Sequence, residues 1–282
     1  MAIPLDLENA RRVIAAALSE DIGSGDITSL AVIPDGVRFK GIMRARHALV
    51  VAGLPVAEEV FRMVVPEAAF RAFAQDGDAL EAGAVLAEIA GPAGGLLTAE
   101  RTALNFLQLL SGIATATRAY AERIQGTGCT LLDTRKTIPG LRQLSKYATR
   151  CGGAQNHRMG LYDGVLIKDN HIAVCGSVGE AVRRAKAATS VSVEVECDTL
   201  EQVAEALAAG ADIILLDNMT PDQLRQGAAL VRGRAKTEAS GGVTLETIRA
   251  IAESGVDYVS VGRITQSAPA ADIGLDWDAA DV

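Results

Sequence analysis

The feature that most constrains the fold is a regular alternation of short apolar runs and amphipathic helices in the second half of the chain. Six β-branched apolar runs recur there, at residues 130–132, 164–167, 191–195, 212–216, 235–237 and 257–261. Helical patterns such as those at 200–208 and 245–252 fill the intervals. The last four runs are about 20 to 23 residues apart, a spacing that predicts a parallel α/β barrel. Because only six runs are clear, we expect the barrel to be incomplete.

The first third predicts a smaller α/β unit, with a helix over residues 7–17 and a β-compatible stretch over 41–52. Between them, the two glycines of segment 21–28 can cradle a phosphate, but we favour a tight loop in which Asp26 caps a helix. A long helix that starts at Thr98 puts Glu100 and Arg101 in its opening turn. There Arg101 is either a solvated side chain or a partner for an anion.

Composition excludes several classes of partner. The chain has 27 Lys and Arg against 35 Asp and Glu, a net charge of −8, which repels nucleic acid and anionic lipid. No apolar run approaches the roughly 20 residues of a membrane span, and no export signal is visible. The four cysteines are far apart, which is typical of reduced cytosolic thiols. We therefore expect a cytoplasmic protein that binds neither nucleic acid nor membrane.

Positive charge is concentrated between Asp133 and Lys168, a segment that contains seven basic residues and only two aspartates. In an acidic chain, such a segment predicts a polyanionic small molecule as ligand. Three of the basic residues recur at helical spacing and are assigned to a solvated helix face: Arg142, Lys146 and Arg150. The others lie just before or after predicted strands, where barrels carry their site residues: Arg135, Lys136, Arg158 and Lys168, together with His157.

Acidic residues and glycines complete the predicted mouth of the barrel. Glu196 and Asp217 end successive strands, and two carboxylates at one mouth need either a divalent cation or ion pairs with neighbouring lysines. Magnesium with a pyrophosphate is the simplest choice of cation and ligand. Glycine loops at Ser240-Gly241-Gly242 and at Gly262 follow the last two strands, where barrel enzymes bind phosphate. These features predict a phosphoribosyl donor bound beside an acidic acceptor.

At these residues the chain resembles the quinolinate phosphoribosyltransferase family, over almost its whole length. The matching segments occur in the order and spacing of the family: EDIGSGD at 20–26, ERTALNF at 100–106, DTRKTIPGLR at 133–142, NHR at 156–158, IKDNH at 167–171, VEVE at 193–196, LLDN at 215–218, EASGG at 238–242 and VG at 261–262. One departure is Ala154, where many relatives carry a third consecutive glycine.

The resemblance implies an N-terminal α/β sandwich domain over residues 1–116, an incomplete parallel α/β barrel over 117–270 and a C-terminal tail over 271–282. It implies a homodimer, or a multiple of dimers, in which each N-terminal domain caps the partner subunit's barrel. The implied enzyme is a nicotinate-nucleotide diphosphorylase (carboxylating), a pentosyltransferase of NAD biosynthesis. It converts quinolinate and phosphoribosyl pyrophosphate into nicotinate mononucleotide, pyrophosphate and CO₂, with Mg²⁺ and no organic cofactor.

The resemblance also implies residue roles. The carboxylates of quinolinate would be held by Arg101 of the neighbouring subunit together with Arg135, His157, Arg158 and Lys168. Phosphoribosyl pyrophosphate would be bound by Lys136, Glu196, Asp217, Ser240, Gly241 and Gly262. The implied catalytic residues are Lys136, Lys168, Glu196 and Asp217, of which Glu196 and Asp217 hold Mg²⁺, partly through water.

Three other hypotheses compete with this one. The pyrophosphorylase-like proteins associated with molybdenum transport share the Thr-Arg-Lys-Thr region, and activity with quinolinate separates them from the enzyme. A phosphosugar aldolase would use Lys168 as a Schiff base, which borohydride trapping detects. A non-catalytic carrier built on segment 76–89 would need an attachment lysine, and residues 71–100 contain none.

Overall fold

A computed structural model of the chain describes residues 5–277, except for the side chain of Trp277, and these residues form two compact units. The first unit comprises residues 5–118, 137–153 and 265–277, and the second comprises 119–136 and 154–264. Along the chain the elements are α1 (Leu7–Ile22), α2 (Ile27–Val32), β1 (Arg38–Ala45), β2 (Leu49–Val50), α3 (Leu54–Val64), β3 (Ala69–Ala72), β4 (Ala79–Leu80), β5 (Val85–Pro92), α4 (Ala93–Arg123), β6 (Thr130–Leu132), α5 (Arg142–Gly152), β7 (Val165–Ile167), α6 (Asp169–Cys175), α7 (Val178–Ala188), β8 (Val193–Cys197), α8 (Leu200–Ala208), β9 (Ile213–Asp217), α9 (Pro221–Val231), β10 (Lys236–Ser240), α10 (Ile248–Ala252), β11 (Tyr258–Ser260), α11 (Arg263–Gln266) and β12 (Ile273–Trp277).

The first unit is built on an antiparallel sheet with strand order β12-β1-β5-β3, which confirms the predicted α/β sandwich. Helix α1 buries Ala10, Ile14 and Leu18, a four-residue spacing that forms one apolar stripe. Asp26 caps α2 as predicted, because its carboxylate accepts the backbone N–H groups of Thr28 and Ser29.

Helix α4 differs from its prediction at its N-terminus. It begins at Ala93 instead of Thr98, so Glu100 and Arg101 lie two turns inside the helix. The first turn of the helix contains Gly94 and Gly95. Because glycine is unfavourable within a helix, the sequence pattern did not predict this turn. The expectation that Arg101 faces a helix N-terminus was therefore wrong, because the helix dipole acts only within the terminal turn.

The second unit confirms the incomplete barrel. All six predicted runs form strands, and these pair in parallel in the order β6-β11-β10-β9-β8-β7. The two outer strands of this order, β6 and β7, are not paired with each other in the described residues. Within β8, Val193, Val195 and Cys197 belong to the apolar core, so the alternate residues Glu194 and Glu196 point to the opposite face.

Two segments lie in a different unit from the one that the predicted boundaries assign to them. Residues 137–153 and 265–277 belong to the first unit, although the sequence-based division puts all of them in the barrel or the tail. Strand β12 pairs antiparallel with β1, with Ala45 opposite Ile273, and Gln108 Nε2 donates to Ile273 O at 2.7 Å. A partner more than 200 residues away leaves no local signal in the sequence. Residues 278–282 of the predicted tail lie outside the described residues.

Helix α5 corrects the prediction of a solvated basic face. Lys146 is 1% exposed, and Arg142 and Arg150 are only partly exposed. The helix is enclosed on nearly all sides, since Leu144 and Tyr147 join the apolar core while Ser145 is buried as well. Elsewhere, all four cysteines are free thiols, and no helix of the described chain is long and apolar enough to cross a membrane.

Candidate active site

A cavity of about 390 Å³ lies at the carboxyl ends of the barrel strands. The predicted site residues that line it are Arg135, Lys136, His157, Arg158, Lys168, Glu196, Asp217, Ser240 and Gly241. They come from the carboxyl-terminal ends of different strands and from the loops beside them, and the parallel sheet brings them to one edge. Gly262 joins this group through its backbone, which lies against the side chain of Lys136. The sequence prediction of one shared mouth is confirmed for these residues.

Arg101 is not among the residues that line this cavity. It lies on α4 in the first unit, where it is exposed. A larger cavity of about 590 Å³ in that unit is lined mainly by glycines and apolar side chains, with Asp26, Asp35 and Arg38 as its charged residues. Because the barrel cavity gathers many more groups that can bind or react, it is the candidate active site.

The basic wall of the cavity contains two neighbouring guanidinium groups. Burial lowers the pKa of Arg158, and the positive charge of Arg135 lowers it further. Arg158 Nη1 donates to Gly164 O at 3.0 Å, while its Nε is buried without a hydrogen-bond partner in the described chain. Two close guanidinium groups form a site for a planar anion such as a carboxylate.

The opposite wall carries the carboxylates. Lys168 Nζ forms an ion pair with Glu196. Burial raises the pKa of Asp217 above its usual range, and the negative charge of Glu196 raises it further, whereas Lys168 and Lys136 oppose the rise. The sequence left two alternatives for these carboxylates, ion pairs with lysines or a divalent cation. Glu196 has a lysine partner, whereas the negative charge at Asp217 is not fully compensated by its surroundings. This donor set fits Mg²⁺, which prefers carboxylate oxygens.

The glycine loops were predicted to bind phosphate, and the structure shows that steric contacts also restrict side chains there. Gly241 has a φ of +93°, and a Cβ at this position would lie 2.1 Å from Asn218 Oδ1. At Gly262, a Cβ would lie 2.9 Å from Lys136 Cδ. Glycine is thus needed at Gly241, whereas at Gly262 the flexible side chain of Lys136 would have to move, whether or not a phosphate is bound.

Three buried carboxylates that have no role among the predicted site residues lie beside the basic wall. Asp133, which is fully buried, accepts hydrogen bonds from Asn156 Nδ2 at 2.6 Å and from the backbone N–H of His157 at 2.9 Å. Glu194 and Glu238, 3% and 1% exposed, face the imidazole of His157. A signal was present, because Glu194 precedes Glu196 and Glu238 precedes Ser240 by two residues, so each pair shares a strand face.

His157, Glu194 and Glu238 are also the one group in residues 5–277 whose donor atoms are spaced for a metal ion, all within 4.8 Å of one another. His157 Nε2 lies 3.0 Å from Glu194 Oε2, which is hydrogen-bond distance. Glu194 also lies behind the cavity wall, whereas Glu196 and Asp217 line the cavity itself.

Comparison with known proteins agrees with the resemblance. The family model described as quinolinate phosphoribosyl transferase, N-terminal domain, matches residues 26–111, and that of the C-terminal domain matches residues 113–276. A probable nicotinate-nucleotide pyrophosphorylase [carboxylating] of Bacillus subtilis is 47% identical over 259 residues, which cover 91% of this chain and 89% of that protein. The nicotinate-nucleotide pyrophosphorylase [carboxylating] of Mycobacterium leprae is 45% identical over 280 residues, covering 96% and 98%. The solved structure of the nicotinate-nucleotide pyrophosphorylase from Francisella tularensis superposes with a TM-score of 0.94 at 38% identity, covering 98% of each chain.

Proposed function

The chain belongs to the quinolinate phosphoribosyltransferase family, and we propose from this premise how its residues perform the reaction. The protein is a pentosyltransferase that joins quinolinate to the phosphoribosyl group of phosphoribosyl pyrophosphate and releases pyrophosphate and CO₂. The product, nicotinate mononucleotide, enters NAD biosynthesis. One observation carries the residue assignment: a single cavity holds paired guanidinium groups, the carboxylates of Glu196 and Asp217, and a glycine loop. A molybdenum-transport protein or an aldolase is not favoured, since the relatives are named as carboxylating pyrophosphorylases.

The basic wall receives the acceptor in this proposal. Quinolinate is a dianion, and Arg135 and Arg158 can each meet a planar carboxylate with two parallel N–H groups. Lys168 adds a third positive charge from the end of β7. The lowered pKa of Arg158 supports this role, because a bound carboxylate would offset the positive charge of Arg135 beside it.

The acidic wall and the glycine loops receive the donor. Ser240, Gly241 and Gly262 bind the 5′-phosphate through hydroxyl and backbone N–H groups. Lys136, beside Gly262, reaches the pyrophosphate. Glu196 and Asp217 would hold Mg²⁺, partly through water, and the bound ion would neutralise charge on the leaving pyrophosphate. The raised pKa of Asp217 supports this, because it reports negative charge that a cation would stabilise.

The chemistry follows from these positions. The lone pair of the pyridine nitrogen forms a bond to the anomeric carbon, while the bond from that carbon to pyrophosphate breaks and its electrons leave with pyrophosphate. Glu196 or Asp217 stabilises the positive charge that develops on the ribose. The ring nitrogen is then cationic, so the electrons of the bond to the 2-carboxylate can remain at C2 as CO₂ departs. C2 then takes up a proton, and no organic cofactor is needed.

We also propose that the protein is a cytoplasmic homo-oligomer with shared active sites. The site would be completed by Arg101 of the partner subunit in a homodimer or a multiple of dimers, which suits an exposed arginine that its own helix does not use for capping. The four free thiols suit the reducing cytoplasm.

One assay tests the proposed function. The purified chain is incubated with quinolinate, phosphoribosyl pyrophosphate and Mg²⁺, and CO₂ and pyrophosphate are measured together. We expect equimolar release that depends on quinolinate, and no release with nicotinate in its place, because nicotinate lacks the 2-carboxylate. Pyrophosphate release without CO₂, or no dependence on quinolinate, would overturn the proposal.

A further inference from the structure

Asn218, which follows strand β9, has a backbone conformation that is uncommon for a residue with a side chain. Its φ is +52°, and among the other non-glycine residues that the structure describes only Arg232, at +45°, has a positive φ. Arg232 ends helix α9, where a left-handed residue is common. Asn218 ends no helix, since it lies between β9 and α9. The reason for its conformation therefore has to be sought in its contacts.

With this backbone conformation, Asn218 contacts the ends of two neighbouring strands. Its backbone N–H donates to Ser240 O at 2.9 Å, which continues the parallel pairing of β9 with β10 beyond Asp217. Its side-chain amide turns back to the preceding residue, where Nδ2 donates a hydrogen bond to Asp217 Oδ2. All three residues line the active-site cavity.

The amide oxygen of Asn218 packs against the glycine loop. A carboxylate only accepts hydrogen bonds, so the amide nitrogen must face Asp217 and the amide oxygen must face away from it. That oxygen uses the space that Gly241 leaves, because a Cβ at Gly241 would lie 2.1 Å from it and 2.9 Å from the backbone nitrogen of Asn218. Gly241 is thus in contact with both the side chain and the backbone of Asn218.

The carboxylate of Asp217 depends on this amide for its orientation. Asp217 ends a strand and faces the cavity, and the nearby Lys168 forms its ion pair with Glu196. The hydrogen bond from Asn218 engages Oδ2 of Asp217, so Oδ1 stays available to a ligand. A carboxylate that is already held in one orientation binds its ligand without first losing side-chain freedom.

We propose that Asn218 is a positioning residue of the donor site: the loop at Gly241 holds its side-chain amide, and this amide fixes the carboxylate of Asp217 in one orientation. The inference rests on the proposed function and deepens it, since Asn218 is not among the residues to which the resemblance gives a role. It also gives the steric requirement at Gly241 a functional reason, because a side chain there would push the amide away from its place beside Asp217.

Equilibrium binding tests the inference, by calorimetric titration of phosphoribosyl pyrophosphate with Mg²⁺ and, separately, of quinolinate. Asn218→Gly removes the amide and keeps the backbone conformation, because glycine adopts a positive φ freely. We expect the Kd for phosphoribosyl pyrophosphate to rise about fivefold, the effect of one lost hydrogen bond, and the Kd for quinolinate to stay unchanged. Arg232→Gly removes a left-handed side chain at the end of α9 and is the matched control, which should bind both substrates as wild type does.

An unchanged Kd for phosphoribosyl pyrophosphate in Asn218→Gly would overturn the inference. An equal rise in both Kd values would overturn it as well, because it would indicate a general loss of structure.

A double-mutant cycle separates positioning from direct contact with the donor. In an Asp217→Ala background, Asn218→Gly should change the Kd for phosphoribosyl pyrophosphate by less than about twofold, because no carboxylate remains to be positioned. A further loss of about fivefold would show that Asn218 acts on the donor by another contact, which contradicts the inference. If Asp217→Ala binds the donor too weakly to measure, the two Kd values of the single variant decide. Wild-type protein that binds no phosphoribosyl pyrophosphate would instead refute the proposed function, before any variant is compared.

Discussion

Gly241 combines two separate requirements for glycine in one residue. Its φ of +93° disfavours any side chain, and Asn218 Oδ1 occupies the space of a Cβ. Gly210 shares a positive φ of +85° but has nothing within 4 Å of a Cβ. Replacing each glycine by alanine therefore measures the energetic cost of the backbone conformation separately from the cost of the steric contact.

We expect Gly210→Ala to lower the free energy of unfolding by about 1 kcal/mol, the cost of a left-handed alanine, without affecting turnover. Gly241→Ala should carry the same cost and also displace Asn218, so the KM for phosphoribosyl pyrophosphate should rise several-fold. Urea unfolding and steady-state kinetics measure the two effects. If the KM is the same in both variants, the loop after β10 does not bind the donor.

Asp217 bears on the proposed magnesium site. We expect Asp217→Asn to raise the Mg²⁺ concentration needed for half-maximal activity and to slow turnover, because an amide is a weaker ligand than a carboxylate. The fold should survive, since the residue ends a strand and faces the cavity. Asp222→Asn, on the exposed surface of α9, is the matched control. An unchanged magnesium requirement in Asp217→Asn would exclude this carboxylate as a ligand.

At the scale of elements, two aspartates join neighbouring barrel strands at their beginnings. Asp257, just before β11, accepts the backbone N–H of Thr237 at 2.9 Å and Lys236 Nζ at 2.6 Å. Asp212, just before β9, accepts the backbone N–H of Val193 at 2.7 Å and also binds a lysine. These contacts help to set the register of the parallel strands.

This arrangement predicts a pH dependence of stability. Burial opposes ionisation of Asp257, but hydrogen bonds from Lys236 and Thr237 outweigh it and hold the pKa below its usual value. A lowered pKa in the folded state contributes stability above the unfolded pKa of about 3.9, and the contribution is lost as pH falls through the folded value. Asp257→Asn should therefore be less stable than wild type at pH 7, by no more than about 1 kcal/mol because the side chain, 32% exposed, is partly screened by solvent.

Urea unfolding at pH 7, 5 and 3.5 measures this difference, which should be constant between the first two and smaller at the last. Glu253→Gln removes an exposed helix pair with Arg249 and should have almost no effect at any pH. A difference for Asp257→Asn that grows as pH falls would contradict the stated sign.

At the scale of the whole molecule, the proposed partner role of Arg101 predicts complementation. Arg101→Ala and Lys168→Ala chains, each inactive alone, should regain activity when they are co-expressed. A mixed dimer has one site with both changes and one site with neither. Because random pairing makes half of the dimers mixed, activity should reach about a quarter of wild type.

Size-exclusion chromatography checks that the mixed subunits assemble, and a tag on one chain allows the mixed dimers to be isolated. Isolated mixed dimers that remain inactive would show that Arg101 acts within its own chain.

Local pattern in the sequence determined much of this protein. The six barrel strands, the Asp26 cap and the collection of Arg135, Arg158, Glu196 and Asp217 at one mouth all follow from periodicity, from turn chemistry and from the rule that parallel strands end at one edge. These are properties of residues close together in the chain, or of a topology that repeats.

Only the tertiary structure determined the strand pairing, burial and side-chain contacts that involve residues far apart in the chain. Strand β12 joins β1 across more than 200 residues, α5 buries Lys146 in the first unit, and Glu194 and Glu238 converge on His157 from separate strands. No local pattern encodes these contacts, because burial and pairing depend on which surfaces meet after the chain has folded. A charged residue in an apolar strand has the same local sequence whether it faces solvent, substrate or a buried imidazole, and the position of its neighbours in space decides among them.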